Sequence, residues 1–196
     1  MKRHYILISL IVTSLFFACS SDDSSNDDDP QGQIVGGCDT TFPFLQTGRV
    51  MTYAVNGNSA GAVLEFGNCD ANGYYIDRAF GGLAGTDLYR QNGDFLEIDS
   101  NNDGDYFSIT YKQNASLGDT WTYTQPSGDI VTREVISVDS TITVPAGTFT
   151  CKVISYQDSG TINTTYVFWD DQVGQIKEDA GFFVTELESY LSLIHI

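Results

Sequence analysis

Apolar and polar residues alternate with a period of two along much of the chain. Met51, Tyr53 and Val55 fall on one phase. Phe107, Ile109 and Tyr111 share another, with Ser108 and Thr110 opposite, and Phe149, Cys151 and Val153 a third, with Thr150 and Lys152 opposite. That is the period of a half-buried strand. The pairs Asn56-Gly57, Asn72-Gly73, Asn92-Gly93 and Asp103-Gly104 supply the positive φ that tight hairpins demand. Thr86–Gln91, Asn92-Gly93 and Asp94–Ile98 together read as a two-residue type I′ hairpin. No helical stripe exceeds two turns. About a dozen short strands in one domain predict an all-β fold. The expected form is an antiparallel meander that makes a curved sheet, an open barrel or a sandwich. Thr47–Tyr53 also echoes Leu117–Tyr123, with Gly, Thr and Tyr coinciding. Two similar halves would explain the echo; chance explains it almost as well, because these residues are common in the chain.

The ends carry a different pattern. Met1–His4 is basic, Tyr5–Phe17 is apolar, and Ala18-Cys19 follows. Residues 1–18 therefore read as an export signal, too short for a comfortable membrane span. Leu15–Cys19 resembles the bacterial lipobox, with Phe16 a departure, so Cys19 is the expected lipidation site. Acyl chains anchor at about 0.8 kcal/mol per buried CH₂. Residues 19–37 begin with an acidic run carrying five Asp and read as a self-repelling tether. Cys19–Asp23 resembles the signal that sends Bacteroidota lipoproteins to the outer face of the outer membrane. The expected location is the outer membrane, surface-exposed rather than periplasmic. Residues 38–190 form one domain. Residues 191–196 resemble a translated sequencing adapter and are not expected to belong to the domain.

Charge narrows the partners. The chain has 26 Asp and Glu against 9 Lys and Arg, a net charge of −17. Lys2 and Arg3 lie in the leader, which leaves seven scattered basic residues. They make no basic face, so nucleic acid is not expected as a partner. Membrane contact is expected through lipid on Cys19, not through the protein surface. Hydrophobic content of 41% is enough for a packed core.

Leu117–Tyr123, Val144–Cys151 and Val173–Lys177 occur in the order G-D-x-W-x-Y, V-P-A-G-T-F, V-G-x-I-K. This resembles a group of small exported Bacteroidota lipoproteins of unknown function that share these motifs over an all-β domain. The resemblance covers about the second half of the body. It implies a turn at Pro145-Ala146-Gly147 and core positions for Trp121, Tyr123 and Phe149. No catalytic residue is defined for the group, so none is carried over.

Candidate chemistry is sparse. Asp99, Asn101, Asp103 and Asp105 resemble the start of a calcium loop, with Gly104 for the bend. Thr110 stands where that loop needs a bidentate Glu, so a plain polar hairpin loop is the preferred reading. Calcium is the one cofactor these residues suggest, and the absence of a CxxC or His/Cys cluster leaves zinc without support. Cys38 and Cys69 lie in loop-like surroundings and can pair in an oxidising compartment. Cys151 falls on a strand phase and reads as a buried apolar residue. His4 and His195, both in the ends set aside, are the only histidines, and no G-x-S-x-G occurs. No catalytic residue is named, although Glu97, Glu134, Glu186 and Glu188 sit in strand-like runs. Tyr166, Phe168 and Trp169 read either as a ligand surface or as part of a strand buried on both faces. The expected function is a non-enzymatic, lipid-anchored binding domain for a small molecule, glycan or protein. The alternatives are a structural or assembly part of an outer-membrane complex, or a hydrolase.

Overall fold

A computed structural model of the chain describes residues 37–191. They belong to the compact unit Gln31–Ile196. Residues 1–36, which hold the expected export signal, Cys19 and most of the expected tether, and residues 192–196 lie outside the described residues.

The described residues are all β. The first six strands are β1 (Val50–Val55), β2 (Asn58–Asp70), β3 (Gly73–Phe80), β4 (Leu83–Asn92), β5 (Phe95–Asp99) and β6 (Ser108–Lys112). The second six are β7 (Thr120–Thr124), β8 (Ile130–Val144), β9 (Gly147–Asp158), β10 (Thr164–Asp170), β11 (Gly174–Asp179) and β12 (Val184–Leu191). They form one antiparallel sheet in the order β6-β5-β4-β3-β2-β1-β12-β11-β10-β9-β8-β7. The sheet curls into a nearly closed barrel whose seam lies between β6 and β7, its two edge strands.

Each half is a six-stranded meander, and the two meanders join where β1 pairs with β12. Both begin with the same turn. Gly48 N–H donates to Phe66 O (2.7 Å), and Phe66 N–H returns to Arg49 O (2.8 Å). Gly118 N–H donates to Val135 O (2.8 Å), and Val135 N–H returns to Asp119 O (2.9 Å). Gly48 and Gly118 share a φ of +81° and +84°, which only glycine adopts cheaply. The echo in the sequence is thus a repeated structural unit.

Alternation decides what fills the barrel. Met51, Phe66, Ile76, Leu96, Tyr111, Trp121, Val135, Ile154, Ile176 and Leu187 are buried and make a single core. One end is plugged by the segment before β1, whose Phe42, Phe44 and Leu45 are buried. Phe44 lies 5.4 Å from Phe42, 6.1 Å from Tyr111 and 5.8 Å from Trp169, ring centre to ring centre. Gln91 holds the plug by accepting from Thr41 N–H (2.8 Å), and Gln113 donates to Thr41 O (2.8 Å). The Cys38–Cys69 disulfide ties the plug to the end of β2. The β8–β9 hairpin folds over the same end, where Ala146 N–H donates to Leu187 O (3.0 Å). The opposite end carries the other six strand connections.

Several expectations need correction. Asn92 pairs with Phe95, so the β4–β5 turn is Gly93-Asp94, one residue later than expected. Gly93 has a φ of +57° while Asp94 is not left-handed, which is a type II′ pattern rather than type I′. Asp103-Gly104 lies within the long β5–β6 loop, not in a tight hairpin. Lys152 lies opposite Cys151 and Val153 as the alternation predicts, yet that side of β9 does not face solvent. Its ammonium instead reaches Tyr111 Oη (3.1 Å), Asp171 and the Gln113 carbonyl at the plugged end. Register shifts in β8 at Val135–Ser140 alter the phase of this hairpin. Leu191 belongs to β12 and pairs with Val50, so the domain reaches one residue past the expected boundary. Gly37, assigned to the tether, is buried against the Asp70 backbone. Trp121 is buried in the core, whereas Tyr123 and Phe149 are half-buried.

Candidate functional site

The apolar core fills the plugged half of the barrel and gives way to polar residues toward the other end. Inward positions there include Arg78 and Asp87 on β3 and β4, Arg133 on β8, Tyr156 on β9 and Glu178 on β11. They face two adjoining cavities, each of about 210 Å³. Asp87, Tyr89, Gln175 and Glu178 line both.

Arg78 Nε donates to both oxygens of Asp87, at 3.1 and 3.0 Å. Asn101, from the β5–β6 loop, closes over this pair. Its Oδ1 accepts from Arg78 Nη2 (3.1 Å), and its N–H donates to Asp87 Oδ1 (3.1 Å). Glu178 accepts from Tyr156 Oη (3.1 Å) and from Gln175 Nε2 (3.4 Å). Tyr53 Oη donates to Gln175 O (2.9 Å). Burial pushes the Tyr53, Tyr89 and Tyr156 hydroxyls above their ordinary pKa, so all three are neutral donors at neutral pH.

Arg133 is arranged differently. Its guanidinium lies 4.6 Å from the ring centre of Tyr156 and 5.6 Å from that of Tyr123. Nη2 donates to Tyr123 Oη (3.2 Å). No carboxylate among the described residues pairs with it, and its buried Nε has no partner. Two neighbouring side chains share this condition: Trp169 Nε1 and Thr185 Oγ1 are buried without a partner. Arg133, Trp169 and Thr185 are 6%, 4% and 8% exposed, and each lines a lumen cavity. A buried polar atom left unpaired costs about 1–3 kcal/mol. Arg133 and Trp169 border one cavity and Thr185 the adjoining one, so unmet polar atoms recur along the lumen.

The residues singled out from the sequence fare unevenly. Tyr166, Phe168 and Trp169 do not share a surface. Val167 and Trp169 point into the barrel and are buried, while Tyr166 and Phe168 lie on the outer face. An all-apolar run hides its phase, which is why the three were grouped. Trp169 alone belongs to the lumen. The Cys38–Cys69 pairing is present. Cys151 is buried, and its thiol is pushed up to about 12 by that burial.

The calcium set does not gather. Asn101 Oδ1 faces Arg78, Asp99 Oδ2 accepts from Gly104 N–H (2.8 Å), and Asp103 accepts from Asp105 N–H (3.2 Å). Among the described residues no three His, Cys, Asp or Glu side chains come together as metal ligands. Asp99 and Asp103 instead border a larger outer hollow of about 470 Å³ beside Arg90 and Phe107. That hollow is less equipped than the lumen. Arg90 is paired with Glu97 (2.6 Å) and covered by the Phe107 ring (3.4 Å), which leaves one unpartnered oxygen, Asp99 Oδ1.

The lumen residues Arg78, Asp87, Arg133 and Glu178 escaped the sequence reading. The signal was present for Arg133, which sits between Val131 and Val135 on their inward phase. A charge at a core phase marks a cavity or a buried pair. Comparison of the chain with protein-family models, with curated proteins and with solved structures gave no match.

Proposed function

We propose that this chain is a lipid-anchored outer-membrane lipoprotein, resembling the exported Bacteroidota group, whose barrel binds a small ligand in its lumen without transforming it. The observation that carries this reading is the lumen itself. One end is stoppered by a disulfide-tied aromatic plug, and toward the other lie two cavities bordered by three buried side chains with unmet polar atoms. A stopper and a polar cavity at opposite ends suit a receptacle better than a solid structural barrel. The non-enzymatic part is supported by the residue set, which pairs its lumen carboxylates with Arg78 or with neutral donors. Anchoring rests on Cys19 and the acidic run after it.

Binding is tested by the melting temperature of the full chain across a panel of small carboxylates, amides, amines and hexoses. A saturable rise with one class supports a lumen ligand. A flat response to every class contradicts it. Cys19→Ala tests the anchor separately: the variant leaves the membrane fraction if lipid holds the protein, and stays there if it does not.

One further observation favours the assembly reading as an alternative. Leu83, Ile130, Ile162 and Phe182 are exposed at or beside four connections of the unplugged end, with exposures of 71%, 50%, 95% and 78%. Chemical cross-linking in membranes discriminates the two. A stoichiometric partner attached at these loops, with an unoccupied lumen, favours assembly.

A further inference from the structure

We infer that the lumen ligand carries one carboxylate, seated on Arg133, and a compact aromatic or branched apolar body. This rests on the lumen being a ligand site.

Charge bookkeeping leaves two buried arginines without a carboxylate, Arg133 and Arg49. The described residues hold seven Lys and Arg among 21 Asp and Glu. Arg78, Arg90, Lys112, Lys152 and Lys177 each take a carboxylate at 2.6–3.0 Å. Arg49 keeps an unpartnered buried Nε as well, but it lies at the plugged end, donates to Gln172 O and lines neither lumen cavity. Arg133 is left as a cation within the lumen, in a chain with three acids for every base. A buried guanidinium without an anion is costly, and cation–π contacts with two tyrosines offset only part of that. Of its five N–H donors one is accounted for, by Tyr123. The fork geometry of the remaining donors matches a carboxylate. Trp169 Nε1 adds an unpartnered donor on the same cavity.

The rest of the wall limits what else the ligand is. Asp87 and Glu178 border the same cavity, so a second negative charge would be repelled. That disfavours a dianionic phosphate and favours a single carboxylate. Tyr89, Tyr156, Trp169, Ile98 and Val167 supply aromatic and aliphatic faces for an apolar body. A cavity of about 210 Å³ lies below the 300–1,000 Å³ usual for drug-sized ligands, so the body is small.

The experiment is titration calorimetry of the full chain with phenylacetate, its neutral isostere phenylacetamide, and glucose. Phenylacetate should bind, with the amide at least tenfold weaker. Arg133→Met should weaken phenylacetate binding by roughly tenfold to a hundredfold, the range for a charged hydrogen-bonded contact. Arg133→Lys keeps the charge, loses the fork and should fall between. If Arg133→Met does not fold, the acid–amide comparison on the unaltered protein and Arg133→Lys decide the matter. Equal binding of acid and amide overturns the inference, as does unchanged phenylacetate affinity in a folded Arg133→Met. Binding of the amide or glucose without the acid overturns the ligand class and leaves the lumen site standing. Silence from all three also overturns the ligand class, and the broader panel decides the lumen on its own.

Discussion

The indole N–H of Trp121 donates to the carbonyl of Ile109 at 3.0 Å, across the seam where β6 and β7 do not pair. The two halves of the barrel make this contact informative. At one junction β1 and β12 form a full antiparallel ladder. At the equivalent junction β7 meets β6, and no ladder is present among the described residues. Trp121 occupies the place in β7 that Met51 occupies in β1. Its ring fills the gap against Phe95 (6.0 Å), and its N–H takes up a carbonyl that a ladder would otherwise satisfy. Lys112 and Asp119 clasp the same seam (2.9 Å).

Trp121→Phe keeps most of the apolar bulk and removes the bond. The loss should be about 1–3 kcal/mol, because Ile109 O is left unpaired as well. Denaturant unfolding measures it. Hydrogen exchange should quicken at β6 and β7 and stay unchanged at the β1–β12 junction. A variant as stable as the parent would show that the seam bond is incidental.

Phe44 is the centre of the plug, touching three other rings. Truncation to Ala should cost about 3–5 kcal/mol, as for other buried Phe side chains. The loss appears as a lower denaturation midpoint. A cost under about 1 kcal/mol would mean that the plug is dispensable to the barrel.

The disulfide closes a separation of 31 residues between the plug and β2. Breaking it should cost about 3–4 kcal/mol by chain entropy. Tyr74 Oη still donates to Cys38 O (3.1 Å) and Gln91 still holds Thr41. The Cys38→Ala/Cys69→Ala protein should therefore keep its β spectrum and melt earlier. Melting at the same temperature with and without reductant would contradict this.

Burial raises the pKa of Tyr53, Tyr89 and Tyr111 above the ordinary tyrosine value, with the Asp171 carboxylate adding to the effect at Tyr111. A folded pKa above the unfolded one means that their contribution to stability is complete below about pH 10 and is lost as the pH rises beyond it. The tyrosinate absorbance of this buried set should thus appear only together with unfolding. On the acid side Asp70, Asp119 and Glu188 are held below the usual carboxylate range, by bonds from Asn72, Lys112 and Ser59 respectively. Their contribution is full above about pH 4 and fades below it. A single smooth tyrosinate titration with the β spectrum intact would contradict the alkaline half.

Much of the fold was legible because strands announce themselves. The alternation of β1, β6 and β9 and the turn glycines pointed to the element types, and Gly48 and Gly118 begin two equivalent meanders. Register was less legible. The one-residue slip at Gly93 and the bulges of β8 are set by which residues pair across each hairpin, and alternation along one strand does not carry that. The lumen was hardest to see. Arg133, Asp87 and Glu178 gain meaning only once the sheet closes and sets three separate strands around one space. In the sequence Asp87 and Glu178 are each one more charge on a strand, and only Arg133 shows itself, as a charge on a core phase; of the conspicuous Tyr166-Val167-Phe168-Trp169, Val167 and Trp169 turn inward.

Those two tryptophans also offer the most direct measurement. The chain holds two Trp residues, both in the barrel. The indole region of an amide correlation spectrum should therefore show one signal from Trp121, bonded to Ile109, and one from Trp169, unpartnered beside the lumen. Titration with a ligand found by melting or calorimetry should move the Trp169 signal and leave that of Trp121 in place. A bound ligand that leaves Trp169 unmoved would place binding outside the barrel and contradict the lumen as the site.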